Sequence, residues 1–428
     1  MDNYKNYLPS LAQKYFDERQ PIDEHSLFPM EATQEKVYLG LKSRGADYKR
    51  IGDIKAKLVM DASIDVARIE RALRETVDAH VAFSLDIVEK DGVPMLTKKR
   101  FPFALDIKEI KDEEYNACAT AFFETPRAEG AALYSFMLVK TPSHTYLLFR
   151  FCHALLDGMS SVSFTTELCT RYNGIDVMPE QYNFLDYADY KQKVIDSDEG
   201  KTLLAEFGKL IEGYPKVVHT KPTADVAEYN GTLFNKSELN SLRPFTKKMK
   251  ISAATLLLAS YSLALMRMCG TDRIAYAMAF HGRTAPQFAK TFGCLSHKIP
   301  ILARIPESGS VEEYLRDFNE TQQLMQERYS IIDKAIMKEY SQHINFMMSV
   351  NILLTMRNLL FDGKEVKAAK TPMHKMAVPL MAMVDVRNTG WDIKTFSSRW
   401  NDEELQSLHD SVRSIMLGMA QKGNLSEI

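Results

Sequence analysis

Residues 146–158 most tightly constrain what this chain can fold into. A nearly continuous apolar run, Tyr146-Leu147-Leu148-Phe149-Arg150-Phe151-Cys152, ends on His153. Four residues later Asp157-Gly158 opens a helix-like segment over 159–172. Such a run is a buried strand feeding a helix through a tight turn, which calls for layers of sheet and helix. It sets one imidazole at a strand tip, open to a substrate, with a carboxylate nearby to fix the turn. Neutral imidazole, with an unperturbed pKa of about 6.5, suits a general base. Gly158 lets a substrate approach the backbone where a helix N-terminus has unpaired N–H groups.

The rest of the chain supplies the layers. At 428 residues it is too long for one ordinary core, so two or three domains are expected. Asp65 is placed to cap a helix whose Ile69, Leu73 and Val77 form one apolar face. Asp91-Gly92 between two short runs predicts a hairpin, and a second strand pair surrounds Pro142-Ser143. The stretch 217–225, with Pro215 and Pro222 nearby, reads as a linker. Beyond it we expect a helix over 251–269 and strands at 273–280, within 292–305, and at 345–354, 378–384 and 391–397. Helices are expected at 311–328 and 402–419, the latter with Leu405, Leu408, Val412, Ile415 and Met416 on one face. Strands and helices do not alternate regularly, which disfavours a doubly wound sheet and points to α/β (α+β) character.

Composition narrows the function. The 54 basic and 56 acidic side chains give a net charge of −2, with no surplus for nucleic acid or an anionic membrane. Cys118, Cys152, Cys169, Cys269 and Cys294 are scattered, form no Cys-x-x-Cys pair, and read as reduced core residues. No metal-ligand spacing occurs among the histidines. Residues 1–20 lack the apolar core of a signal peptide, and the longest uncharged run, 251–266, is short for a membrane span. A cytoplasmic protein without a membrane span is expected. Trp391 and Trp400 read as core or rim aromatics, and His281 as a loop residue.

The motifs, in order, resemble the condensation-domain and chloramphenicol-acetyltransferase-like acyltransferase superfamily. Residues 28–35 (Phe-Pro-Met-Glu-Ala-Thr-Gln-Glu) are similar to its opening segment. His80-Val81-Ala82-Phe83-Ser84 stands where the family has His-Pro-x-Leu-Arg, without the Pro and Arg. Cys152-His153-x-x-x-Asp157-Gly158 matches His-His-x-x-x-Asp-Gly with the first histidine replaced. Residues 184–190 resemble the Asp-Tyr segment, and 255–270 the family's long buried helix. His281-Gly282-Arg283 resembles its Gly-Arg motif. Residues 292–300 resemble the Gly-x-Phe-Val-Asn-Thr-x-Pro strand, with His297 at the usual Asn.

The resemblance implies two acetyltransferase-like subdomains, 1–175 carrying the His motif and 176–428, in a V-shaped pseudo-dimer with a central tunnel. It implies that His153 is the catalytic residue, as general base or nucleophile-orienting group. Asp157, Gly158 and Arg283 would be structural at the site, Asp157 pairing with Arg283 across the halves. Cys152, His297 and Ser296 are candidate tunnel residues; for His297 the solvent side of the strand beside Lys298 is the competing placement. The implied reaction moves an acyl group from a CoA or phosphopantetheinyl carrier-protein thioester to a small amine or alcohol. No tightly bound cofactor or metal is implied, and a freestanding monomer that meets its donor in trans is expected. A non-catalytic module that binds a carrier protein or recruits an enzyme is the alternative.

Overall fold

Apolar side chains facing both ways along a strand need cover on both faces, and two six-stranded sheets in this protein provide it. The computed structural model describes residues 6–19, 22–23, 26–128, 130–216, 225–353, 359–370, 375–387 and 389–428. The first half runs α1 (Tyr7–Glu18), β1 (Phe28–Pro29), α2 (Ala32–Ile51), β2 (Asp53–Asp61), α3 (Val66–Ala79), β3 (Leu85–Lys90), β4 (Val93–Lys98) and β5 (Asp106–Glu109). It continues through α4 (Tyr115–Glu124), β6 (Tyr134–Lys140), β7 (His144–Cys152), α5 (Gly158–Tyr172), α6 (Phe184–Asp196) and α7 (Asp198–Ile211). The second half runs β8 (Ala227–Asn235), α8 (Lys236–Met249), α9 (Ala253–Cys269), β9 (Arg273–Phe280), β10 (His297–Arg304), α10 (Val311–Leu324) and α11 (Asp333–Tyr340). It closes with β11 (Asn345–Leu353), β12 (Leu359–Phe361), β13 (Lys364–Lys370), β14 (Leu380–Arg387), β15 (Gly390–Ser397) and α12 (Asp402–Met419).

The first large sheet has the order β12-β13-β2-β7-β6-β5, with β7 antiparallel between β2 and β6. The second has the order β10-β9-β11-β14-β15-β8 and is mixed, since β11 runs parallel to both β9 and β14. A third, small sheet is β1-β4-β3. Mixed helix and sheet is the expected class. The expected elements fall where the patterns put them. Asp65 accepts a hydrogen bond from the Arg68 N–H and caps α3. Asp91 and Gly92 turn the β3–β4 hairpin with φ of 53° and 78°, both positive as a type I′ turn requires.

Three features depart from the simplest reading. β12 and β13 follow β11 in sequence but lie in the first sheet, β13 pairing antiparallel with β2. The 311–328 segment leaves α-helical geometry at Met325, continuing as a π-helical turn through Tyr329. The expected linker residues 217–224 lie outside the described residues, as does 354. Most of the apolar core is one cluster, in which α3 packs on α5, α9 on α12, and side chains come from both sheets; a smaller, separate cluster joins α4 to β6 and β7. Trp391 and Trp400 are part of that core. Among the described residues no single helix is long and apolar enough to cross a membrane.

Candidate active site

The turn after β7 is closed by its own backbone. The Cys152 carbonyl accepts from the Leu155 and Leu156 N–H groups at 2.8 and 3.2 Å. The His153 N–H donates to the Gly52 carbonyl at 2.9 Å, which ties the strand tip to the start of β2. His153 therefore leaves the sheet on a fixed backbone with its side chain partly exposed. Its nearest polar partner is the Cys294 thiol, with Sγ 4.0 Å from Nδ1. Burial pushes that thiol well above its ordinary range, so Cys294 meets the imidazole as a neutral, weakly polar neighbour.

Asp157 makes no hydrogen bond to the imidazole among the described residues. Its carboxylate caps α5 through the Ser160 N–H at 2.7 Å and accepts the Leu295 and Ser296 N–H groups at 3.0 and 2.9 Å. Arg283 completes its shell with Nη1 2.9 Å from Oδ2 and Nη2 3.2 Å from Oδ1. Burial alone would raise this carboxyl, but Arg283 and the N–H donors outweigh it and hold it below the usual range. Arg283 also donates to the Thr291 and His281 carbonyls and to the Ser160 hydroxyl. A buried pair so fully hydrogen-bonded fixes position more than it adds net stability. It joins the start of α5 in the first half to the 281–296 loop of the second.

Two glycines let that loop close. Gly282 has a φ of 72°, and a Cβ there would run into the Leu295 carbonyl. A Cβ at Gly293 would strike the Phe184 ring. Gly158, by contrast, is exposed, and a Cβ there would meet nothing within 4 Å. The Cβ side of Gly158, on the first turn of α5, thus faces free space.

The other residues singled out from the sequence lie around this frame. Cys152 is 1% exposed with its thiol pushed up to about 11 by burial. Ser296 is partly exposed. His297 is 3% exposed, so it presents neither to solvent nor as an open wall. Its Nδ1 lies 3.0 Å from the Leu295 carbonyl and burial lowers it to about 4. His281 is an exposed loop residue. His80 lies between two carboxylates, with Nε2 2.9 Å from Glu167 and Nδ1 3.3 Å from Glu180. It stacks on Phe292, whose N–H donates to Glu180. Burial would lower His80, but the two glutamates outweigh it and raise it.

Sequence reasoning passed over several supporting residues. Gln34 Nε2 donates to the Ala154 carbonyl at 2.7 Å and holds the turn next to His153 from α2. The Ser160 hydroxyl bridges the Gly293 backbone and Arg283. A buried ion triad of Glu31, Lys191 and Asp333 lies close to His297. Lys191 was discoverable as a cation inside an otherwise apolar helix face; its partners were not.

The family follows from comparison. The model of the condensation domain matches residues 28–424. The chain belongs to the condensation-domain family. Among relatives, bacitracin synthase 3 of Bacillus licheniformis is 21% identical over 326 residues, covering 74% of this chain. This condensation domain spans only 5% of that relative's length. Gramicidin S synthase 2 of Aneurinibacillus migulanus is 22% identical over 274 residues, covering 62% of this chain and 6% of that protein. Among solved structures, the first condensation domain of the calcium-dependent antibiotic synthetase, in complex with a substrate analogue, matches with a TM-score of 0.72 at 14% identity, covering 94% of this chain and 98% of that one. A mutant of the starter condensation domain of rhizomide synthetase in complex with C8-CoA matches at the same score and identity, covering 94% and 97%.

Proposed function

We propose that this condensation domain is an acyltransferase that moves an acyl group from a CoA or carrier-protein thioester to an amine or alcohol. The observation that carries the reading is the separation of roles at the β7–α5 turn. Asp157 is consumed by Arg283, Ser160, Leu295 and Ser296. That leaves His153 as the partly exposed titratable group at the strand tip, beside an open helix N-terminus. Acyl transfer from a thioester needs a base for the attacking N–H or O–H and donors for the oxyanion. His153 takes the proton or orients the nucleophile, and the backbone N–H groups at Gly158 and Met159 are the candidate oxyanion donors. The carbonyl gains the N–C or O–C bond, the C–S bond breaks, and the thiol leaves with a proton. By the family resemblance, donor and acceptor would reach His153 from opposite faces.

The test is mass spectrometry of products from a mixed panel of acyl thioesters with amine and alcohol acceptors. Product formation should fall at least ~100-fold in His153→Ala. A variant with near-normal turnover would remove the catalytic assignment. The second reading is a non-catalytic module that binds a carrier protein. It takes support from Cys152 in place of the first histidine, and from an imidazole that no carboxylate orients among the described residues. Carrier binding without any product across the panel would favour it.

A further inference from the structure

Two lysines from opposite halves of the chain meet at adjacent residues of β11 with no carboxylate between them among the described residues. Lys298 follows the Leu295-Ser296 pair that binds Asp157, and successive residues of β10 point to opposite faces. His297 therefore turns into the buried triad, and Lys298 turns the other way. Its ammonium donates to the Phe346 carbonyl at 2.6 Å. That carbonyl lies in the part of β11 where pairing with β9 slips between Asn345 and Ser349. Lys36 lies two residues beyond Gln34 on α2, so it rises from the same helix turn that holds Ala154. Its Nζ is 3.0 Å from the Met347 sulfur, a weak acceptor. The two ammonium groups thus bracket adjacent residues of one strand.

Neither lysine has an ion-pair partner among the described residues. Lys36 is exposed, yet its surroundings desolvate it and lower its pKa. Burial, with Lys36 adding to it, brings Lys298 down to about 7. Two other buried cations are neutralised: Lys191 has two carboxylates, and Arg283 has Asp157. An anion placed between them would favour the charged form of both lysines.

We propose that Lys36 and Lys298 form a site for the oxyanion, carboxylate or phosphate, of a small ligand, held between α2 of the first half and β10–β11 of the second. The anion site stands on this geometry alone. Its assignment to one of the two substrates rests on the acyltransferase reading, and it names the class: an acceptor or donor with a carboxylate or phosphate close to its reacting centre.

The experiment is NMR of the full chain labelled at the lysine side-chain carbons, with the Lys298 signal assigned by its loss in Lys298→Met. The pH titration is run in chloride, then with inorganic phosphate and separately with acetate at matched ionic strength. Either anion should move the Lys298 midpoint up from near neutrality by about one pH unit or more, and Lys36→Met should weaken that response about ten-fold. A response to phosphate alone points to a phosphate-bearing substrate, and a response to acetate points to a carboxylate. An unchanged midpoint with both anions, or an undiminished response in Lys36→Met, would overturn the site. Lys36 is an exposed helix position, so its variant should fold even if Lys298→Met does not. The readout needs no turnover: an anion response in a chain with no transferase activity would sink the acyltransferase reading and leave the site standing.

Discussion

Lys191 of α6 and Asp333 of α11 meet at 2.6 Å with side chains 1% and 0% exposed. Glu31, just ahead of α2, binds the same ammonium. Burial alone would lower Lys191, but the two carboxylates outweigh it and raise it well above its ordinary value. One cation thus ties together the start of the first half, the helix that follows α5, and the second half. Lys191→Met leaves two carboxylates buried without their cation and should cost about 3–5 kcal/mol. Adding Glu31→Gln and Asp333→Asn to Lys191→Met should recover most of the loss. Urea denaturation of the single and triple variants checks this; equal losses in both would show that the triad's charges are not the source.

Asp157 and Arg283 should behave in the same way for the same reason. Either Asp157→Ala or Arg283→Met strands the remaining charge and should cost about 3–5 kcal/mol. The double variant should lose less than the sum, with a coupling of about 0.5–3 kcal/mol. A double-mutant cycle by denaturant unfolding measures it. Strict additivity would mean that the ion pair does not couple the α5 start to the 281–296 loop.

The contrast between two glycines separates fit from function. Gly282→Ala forces a Cβ into the Leu295 carbonyl at a φ of 72°, and the backbone strain alone should cost about 1–3 kcal/mol. Gly158→Ala meets open space on the first turn of α5 and should leave stability unchanged or slightly raised. If a substrate passes over that turn, Gly158→Ala should still reduce turnover. Thermal melts alongside product assays would show a stable but slow Gly158→Ala. A Gly158→Ala chain with full activity would place the substrate elsewhere.

Local patterns were legible wherever a short signal specified a short structure. Asp65 capped α3, Asp91-Gly92 turned its hairpin, and β9 and α12 fell on their apolar runs. The β12–β13 hairpin carried the same signal at Asp362-Gly363, with φ of 49° and 76°, yet its place in the first sheet is set by pairing with β2, some three hundred residues earlier in the chain. β8 was hidden because Asn230-Gly231 reads as a turn, and α8 because Pro244 sits inside it. The local pattern already set Asp157 at the turn to fix it, but its pairing with Arg283 was readable only through the family resemblance. The Gln34 hold on Ala154 and the placing of Lys36 against Met347 link α2 to distant turns, and nothing in local spacing encodes such contacts.

Two buried histidines should make the fold lose stability in mild acid. His297 is sealed, its Nε2 finds no partner among the described residues, and burial lowers it from about 6.5 to about 4. His409, under the second sheet, is lowered to about 4 for the same reason. A depressed folded pKa means that the unfolded chain binds the proton first. The stability tied to His297 is therefore intact above about pH 6.5 and lost as pH falls toward 4, by about 3 kcal/mol in full. His80 works in the opposite sense. The two glutamates raise its folded pKa, so its contribution is present below about 6.5 and fades as pH climbs through the folded value. Falling pH should thus destabilise the chain through His297 and His409 while His80 partly offsets them. Denaturation midpoints of wild type and His297→Gln at pH 7.5 and 5 check this. The drop between the two should be smaller in His297→Gln, and an equal drop would show that His297 is not held neutral in the folded chain.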